Sequence, residues 1–471
     1  MASLFSALHS SSDTLKAYEQ TLAVIQNNVG NASTPGYVAQ EPVLEAASFQ
    51  FGGGLAGGVI ARAPISAKDV YADATVRRQT SQAGFSGQQV SSLTALQSSF
   101  DITGNGGVAG ALNKFFTAAS GFSASPSDSA ARALVVTTAG QVASAFRTAV
   151  TDIQTQAQAN TQQIQATVDQ VNTIAGQLAR SNSQIALAGA EDPAIDAQNR
   201  NALESLSKLA NVTVQTEKNG SLTVLLGGQT PLVFGDHQYL VSSSLTTGAT
   251  TGGVPAQALF DPTGREISAH ITGGSLGALL QVQNHVLPGL VGGQGQSGSL
   301  NDLAKTFADR VNTLLTSGTV SSASGAAPGS PLFAYDTTSP ASVAGSLSVD
   351  PAAGGATLAA ADTTSSNGTA NAIAALASGL APADQVNGQT FTAFYGTIAA
   401  NLGAQLSLAN SQQAGDQQSL LQVKNLRAQT SGVSLDTEAE RLIEFQRAYQ
   451  ASAKLVTVLD QMTQSVVSMI P

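Results

Sequence analysis

Two seven-residue apolar repeats, one at each end of the chain, constrain this sequence more than any other feature. Leu8, Leu15, Leu22 and Val29 recur every seven residues, with Leu4, Ser11, Tyr18 and Ile25 at the second seam position. That spacing puts a narrow apolar stripe on one face of a helix, which is buried only against a partner helix. From Leu4 to Val29 the helix is about 39 Å long at 1.5 Å per residue, and Gly30 with Pro35-Gly36 is expected to end it. Near the other end Leu435, Leu442, Tyr449, Val456, Thr463 and Ile470 form one seam, with Phe445, Leu459 and Val466 in the other and Ser452 as its weak point. Thr437 and Glu440 have capping-box spacing, and Glu438 with Arg441 and Glu444 with Arg447 read as i,i+3 pairs on the outer face. The expectation is that the two helices pair with each other or with neighbouring subunits. Leu8, Leu15, Leu22, Ile25, Leu435, Leu442, Phe445, Tyr449, Val456 and Leu459 would carry that interface.

A third long helix is predicted from Val150, Ala157, Ile164, Val171, Leu178 and Ile185, supported by Ile153 and Ile174. Its outer face is rich in Gln and nearly uncharged. Helical periodicity also covers Gly110 to Ala119, Ala130 to Val150, Leu276 to Leu287, Leu300 to Leu315 and Leu402 to Arg427, with Pro288 separating two of these. Between the helical blocks, Asn211 to Gly228 alternates with period two, the mark of a β-hairpin. A two-residue Asn219-Gly220 loop would put the apolar residues of the two strands on opposite faces. A three-residue loop, Lys218 to Gly220 with Gly220 left-handed, pairs Val214 with Val224 and Val212 with Leu226, and parity selects it. Ile267, Ala269 and Ile271 suggest another strand, and Leu347 and Val349 a further one. From Gly318 to Gly368 the composition predicts loops and short strands.

Composition narrows the function. The 471 residues include only 11% charged side chains, against about 25% in ordinary globular proteins. At about 150 residues per domain the length suggests about three domains. A net charge of −10, with only Arg77-Arg78 as adjacent bases, argues against phosphate neutralisation and hence against a nucleic-acid binder. With no Cys, the chain has no thiol or thiolate chemistry, and four scattered His leave little for metals. No run approaches the roughly 18 apolar residues of a membrane span, so no membrane insertion is expected. The first base, Lys16, follows Asp13, which argues against a cleaved secretory signal.

The terminal helix followed by Gln26-Asn-Asn-Val-Gly-Asn-Ala-Ser-Thr-Pro-Gly-Tyr37 resembles the N-terminal signature of bacterial flagellar rod, hook and hook-associated proteins. Its members here are Asn27, Asn28, Asn31, Thr34, Pro35, Gly36 and Tyr37. Ser431 to Lys454 resembles that family's ending, and Asn199-Arg200 through Ser207, the hairpin to Gly235, Gly274 to Leu280, Val286 to Leu290 and Pro331 to Phe333 match its hook-associated branch in order. Val29-Gly30 and Val38-Ala39 stand where Ile-Ala and Ser-Arg are common, and the Gly318 to Gly368 stretch matches poorly.

The resemblance implies an α+β chain with nested architecture. Residues 1–60 and 431–471 would form an inner coiled-coil domain. Residues 61–210, 272–318 and 375–430 would form a helical-bundle domain, and 211–271 with 319–374 an inserted β-rich outer domain. It also implies a structural subunit that is not an enzyme and has no cofactor. Such a subunit self-assembles into the hook–filament junction, between the hook protein and a second hook-associated protein. It would be secreted unfolded through a type III export apparatus with an export chaperone, and would reside in the extracellular flagellum. The nearest rival in that class is the hook protein or another axial protein. In a different class, the Thr/Ser/Gly-rich β segments suggest a secreted adhesin or carbohydrate-binding module.

Other constellations read more simply as structure. Gly293-x-Gly295-x-x-Gly298 has the form of a dinucleotide fingerprint, but Pro288-Gly-Leu-Val precedes it and no acidic residue follows at the ribose-binding distance, so a helix connection is expected. Gly104 to Gly107 lacks the phosphate-loop lysine and reads as a loop. Asp236-His237 and Glu266 with His270 could form acid–base or metal pairs, or a hydrolase site, yet no third ligand lies near and they read as surface polar residues. Gln88, Gln89, Gln162 and Gln163 could bond across an interface, ordinary solvation being the simpler reading.

Overall fold

The computed structural model describes residues 2–48, 57–100, 106–188, 192–246, 252–293 and 295–468. Ile470 of the C-terminal seam, and Gly104 and Asn105 of the glycine cluster, lie outside them. The fold is α+β and dominated by helices: α1 (Ala2–Asn31), α2 (Val70–Gln97), α3 (Gly107–Ala124), α4 (Ser129–Ala188), α5 (Pro193–Leu209), α6 (Gly274–Gln281), α7 (Leu287–Val291), α8 (Ser299–Ser317), α9 (Val343–Ser346), α10 (Gly368–Ala375), α11 (Phe391–Ser431) and α12 (Leu435–Ser468).

The helical segments predicted on either side of Val150 are one 60-residue helix, α4. No Gly-Pro or polar break separates the two periodic stretches, so the helix runs on for about 90 Å at 1.5 Å per residue. All six seam residues from Val150 to Ile185 are buried. The first half of α4, through Ala157, belongs to a core shared with α3, α8, α10 and α11, in which the Phe307 ring meets Phe115, Phe116, Phe333 and Phe391 at centroid distances of 5.3 to 6.1 Å. The second half, from Ile164, belongs to a second core with α5, α6 and the hairpin. Between the cores, buried Asn160 donates to Leu279 O and to Gln283 Oε1, each at 3.0 Å.

The hairpin has the register that parity selects. Strand β3 (Val212–Thr216) pairs with β4 (Leu222–Leu226) so that Val214 faces Val224 and Val212 faces Leu226, and Gly220 has φ +86°. Strands β5 (Thr230–Phe234) and β6 (His237–Gln238) extend this sheet, and β7 (Ser242–Leu245) pairs separately with β8 (Gln257–Phe260). The segments 211–271 and 319–374 share no sheet among the described residues. Short strands β9 (Phe333–Ala334) and β10 (Ser348–Val349) pair with each other, and Phe333 and Leu347 pack into the first core.

Two local expectations are corrected. Ile267, Ala269 and Ile271 are not on a strand: Ser268–His270 forms a 3₁₀ turn, which still buries Ile267 and Ile271. Pro288 does not end the helix before it, because a π turn at 282–286 carries the helical path into α7, where Pro288 takes a first-turn position. Helix α1 ends at Asn31, between Gly30 and Pro35, as expected. The β1 (Gln40–Ala46) and β2 (Val59–Ser66) pair was not foreseen. Each strand contains a Pro, which argues against a strand in sequence, and a bulge between Glu41 and Val43 accommodates Pro42.

The glycine connection reads as expected. Gly293 bridges Gln296 in a tight turn between α7 and α8, Gly295 and Gly298 have φ of +84° and +83°, and a helix precedes it, not a strand. No helix among the described residues is long and apolar enough to cross a membrane.

Candidate functional site

Helices α1 and α12 pack along each other, and the direction follows from two contacts. The Tyr18 and Phe445 rings lie 6.0 Å apart, while the chain leaving α1 meets the start of α12, where the Ala39 N–H donates to Ser431 O at 3.1 Å. Moving back along α1 therefore moves forward along α12, an antiparallel pair. Ile25 is fully buried, and Leu8, Leu15, Leu22, Leu442, Phe445, Tyr449, Val456 and Leu459 are half-buried.

Leu435 is not covered by α1. It is the first residue of α12 and is 55% exposed. Beyond the pair, α12 carries a second apolar stripe facing outward, with Ile443, Leu455, Val458 and Met462 each about half exposed.

The start of α12 also differs. Ser434, not Thr437, caps it: Ser434 Oγ accepts from the Thr437 N–H at 3.4 Å and its carbonyl from the Glu438 N–H at 3.0 Å. Glu438 is not on the outer face. It is 3% exposed, its Oε1 accepts from Arg441 at 3.4 Å, and its Oε2 has no hydrogen-bond partner among the described residues. Burial, with the Glu438 charge adding, raises the Tyr37 hydroxyl above its ordinary value.

The signature residues form the corner where α1 turns back. Asn28 is fully buried: its amide donates to Gln40 O at 2.8 Å, and its Oδ1 accepts from the Gln40 N–H at 2.9 Å and the Tyr37 hydroxyl at 3.0 Å. Asn31 donates to Asn27 O, and Thr34 donates to Asn31 through both its backbone and hydroxyl, which shapes the turn. Gly36 has φ +77°, and a Cβ there would lie 2.6 Å from Ala197 O. Pro35 O accepts from the Asn201 amide at 2.7 Å, so the turn sits on α5.

Behind this corner lies an ionic cluster that sequence reasoning missed, because partners in it are up to 354 residues apart. Arg200 pairs with Asp73 at 3.2 Å and with Asp196 at 3.5 Å. Arg427 bonds Glu204 and approaches Asp73 at 3.5 Å, Lys424 meets Glu204 at 3.2 Å, and Lys68 meets Asp196 at 2.7 Å. These bonds hold α2, α5 and α11 together. Burial raises the Asp73 carboxyl despite Arg200 and Arg427. At Glu204 burial acts upward too, but the hydrogen bonds and charges of Arg427 and Lys424 prevail and hold it low.

The polar pairs considered as catalytic are superficial. Asp236 and His237 lie 3.5 Å apart with both side chains mostly exposed, and Glu266 and His270 are exposed. No group of three or more His, Asp or Glu among the described residues could hold a metal. Gln88 and Gln163 bond each other reciprocally at 3.1 and 3.5 Å within the chain.

Comparison with known proteins gives consistent matches. Residues 93–333 match the family model for the helical domain of flagellar hook-associated protein FlgK, and residues 427–469 the C-terminal model of flagellar basal body rod FlgEFG proteins. Flagellar hook-associated protein 1 of Bacillus subtilis is 25% identical, with 99% of each chain aligned. The Salmonella typhimurium protein of that description is 25% identical over 64% of this chain and 55% of its own. A solved structure, the flagellar hook junction protein FlgK from Burkholderia pseudomallei, has a TM-score of 0.49 and 26% identity, covering 56% of this chain and 47% of that one.

Proposed function

This chain belongs to the FlgK family of flagellar hook-associated proteins, components of the hook–filament junction, and from that premise we propose that it polymerises there through its paired terminal helices. The observation that carries the reading is the outward apolar line on α12. Pairing with α1 leaves Ile443, Leu455, Val458 and Met462 about half exposed, a stripe that helices of neighbouring subunits would cover. The Leu8, Leu15, Leu22, Ile25, Leu442, Phe445, Tyr449, Val456 and Leu459 seam would hold each subunit's own pair together, and Leu435 would be free to meet a neighbour.

In this reading the signature corner from Asn27 to Tyr37 sets the angle at which the pair leaves the rest of the subunit. Residues 1–60 and 431–471 form the inner layer, with the helical segments outside it and the β3–β6 sheet outermost. The hook protein lies on one side and a second hook-associated protein on the other. The subunit reaches the extracellular flagellum through type III export with its chaperone.

Leu442→Asp tests the proposal. The variant is expected to keep the middle of the chain folded, read by its thermal transition, while failing to support filament growth on hooks. Normal filament growth would sink the assignment.

A further inference from the structure

We propose that Asn219, at the tip of the β3–β4 hairpin, is a site of self-modification, where the backbone nitrogen of Gly220 displaces the side-chain amide and leaves aspartate or isoaspartate. The chain has four Asn-Gly pairs, at Asn105, Asn219, Asn367 and Asn387, of which Asn105 lies outside the described residues. The reaction favours a following glycine, because no Cβ obstructs the approach of its nitrogen to the asparagine side-chain carbonyl.

The other three pairs differ in what holds the asparagine amide. Asn219 is exposed, and its Oδ1 accepts from the Ser221 hydroxyl at 2.7 Å and from the Ser221 N–H at 3.1 Å. Ser221 is itself only 8% exposed, so both donors are fixed against the loop. At Asn367 the nitrogen is the engaged atom: Nδ2 donates to Ser123 O at 3.1 Å, and the backbone carbonyl accepts from Asn371 in the first turn of α10. At Asn387 no donor reaches the side-chain oxygen among the described residues. There φ values of +50° and +78° hold Asn387 and Gly388 in a turn closed by reciprocal bonds between Val386 and Gln389.

The reaction needs only water and hydroxide. The Gly220 nitrogen gives its proton to hydroxide and forms a bond to Cγ of Asn219, and negative charge develops on Oδ1. Both Ser221 donors already point at that atom, and hydrogen bonds set in advance stabilise such a charge. The intermediate collapses by breaking the Cγ–Nδ2 bond, Nδ2 takes up a proton and leaves as ammonia, and water opens the succinimide ring to either acid. At rest the Gly220 N–H donates to Glu217 O at 3.0 Å, so attack proceeds from openings of the exposed tip that free this bond while buried Ser221 stays in place. Isoaspartate lengthens the main chain by one methylene, in the loop whose length sets the pairing of Val214 with Val224.

The test uses the full chain, held at mildly alkaline pH and sampled over days. Peptide mass spectrometry reads conversion at each Asn-Gly pair, and enzymatic methylation reads isoaspartate. Asn219 should convert ahead of Asn367 and Asn387 in the folded chain, and in urea the three should converge, since each then has only its glycine. Ser221→Ala should slow conversion at Asn219 by about three- to tenfold, the worth of one hydrogen bond, and Ser221→Thr should restore it. Earlier conversion of Asn367 or Asn387 in the folded chain overturns the proposal. So does a lead of Asn219 that persists unchanged in urea, or a Ser221→Ala rate equal to or above the original. Should Ser221→Ala fail to fold, the ranking of the three sites in the unsubstituted chain, folded against unfolded, decides alone.

Discussion

The Tyr37 hydroxyl donates a 3.0 Å hydrogen bond to Oδ1 of Asn28, the side chain that also clasps both backbone groups of Gln40. Two residues nine positions apart thus close the corner at which the first helix gives way to β1. Asn28→Ala removes three bonds at a fully buried site and strands a donor and an acceptor of Gln40, each worth about 1–3 kcal/mol when unsatisfied. Hydrogen exchange at the Gln40 amide should accelerate well before the helical cores open. Asn28→Asp keeps the two accepted bonds and should fall between the variant and the original.

The seam residues are unequal. Ile25→Ala should destabilise by about 2–5 kcal/mol, as expected for a fully buried aliphatic side chain. Leu435→Ala, at a position 55% exposed, should stay within about 0.5 kcal/mol. Urea denaturation of the isolated subunits compares the two directly, and equal losses would contradict the burial pattern.

Glu204 and Asp73 should act on acid stability with opposite sign. Glu204 is held low in the folded chain, so its contribution is present above its unfolded pKa and is lost as pH falls through the folded one. Asp73 is raised by burial, so its contribution is complete below its unfolded pKa and is lost as pH rises through the folded one. Denaturation midpoints taken from neutral pH downward should therefore decline less steeply in Glu204→Gln, at the acid end, than in the unsubstituted chain. Asp73→Asn should remove the stabilisation that protonating Asp73 provides on mild acidification.

Gly36→Ala introduces a Cβ 2.6 Å from Ala197 O at a backbone angle of +77°. A side chain in the left-handed region is unfavourable by about 1–2 kcal/mol before the clash is counted. The turn should lift from α5, seen as loss of protection of the Asn201 side-chain amide by NMR.

What was legible in the sequence was what local spacing determines. Val212, Val214, Val224 and Leu226 could share a face only with a three-residue loop, and the strands pair that way. The α4 seam was complete in its seven-residue spacing, although its union with the preceding helix was not read. The 3₁₀ turn at Ser268 escaped because residues four apart on a tight turn are buried as readily as alternate residues on a strand. Glu438 was read as solvent-facing from its spacing to Arg441, a rule blind to Tyr37 arriving above it from the far end of the chain. The cluster of Asp73, Arg200, Glu204 and Arg427 leaves no local trace, since only the packing of α2, α5 and α11 brings it together.

The 60 residues of α4 run unbroken from one hydrophobic core into the other. An uninterrupted helix resists bending and torsion along its whole length, and no loop along it can yield. Rotation imposed on one core therefore reaches the other as rotation of a shaft, with Asn160 and Gln283 pinning the midpoint. This element supplies mechanical stiffness between the two cores.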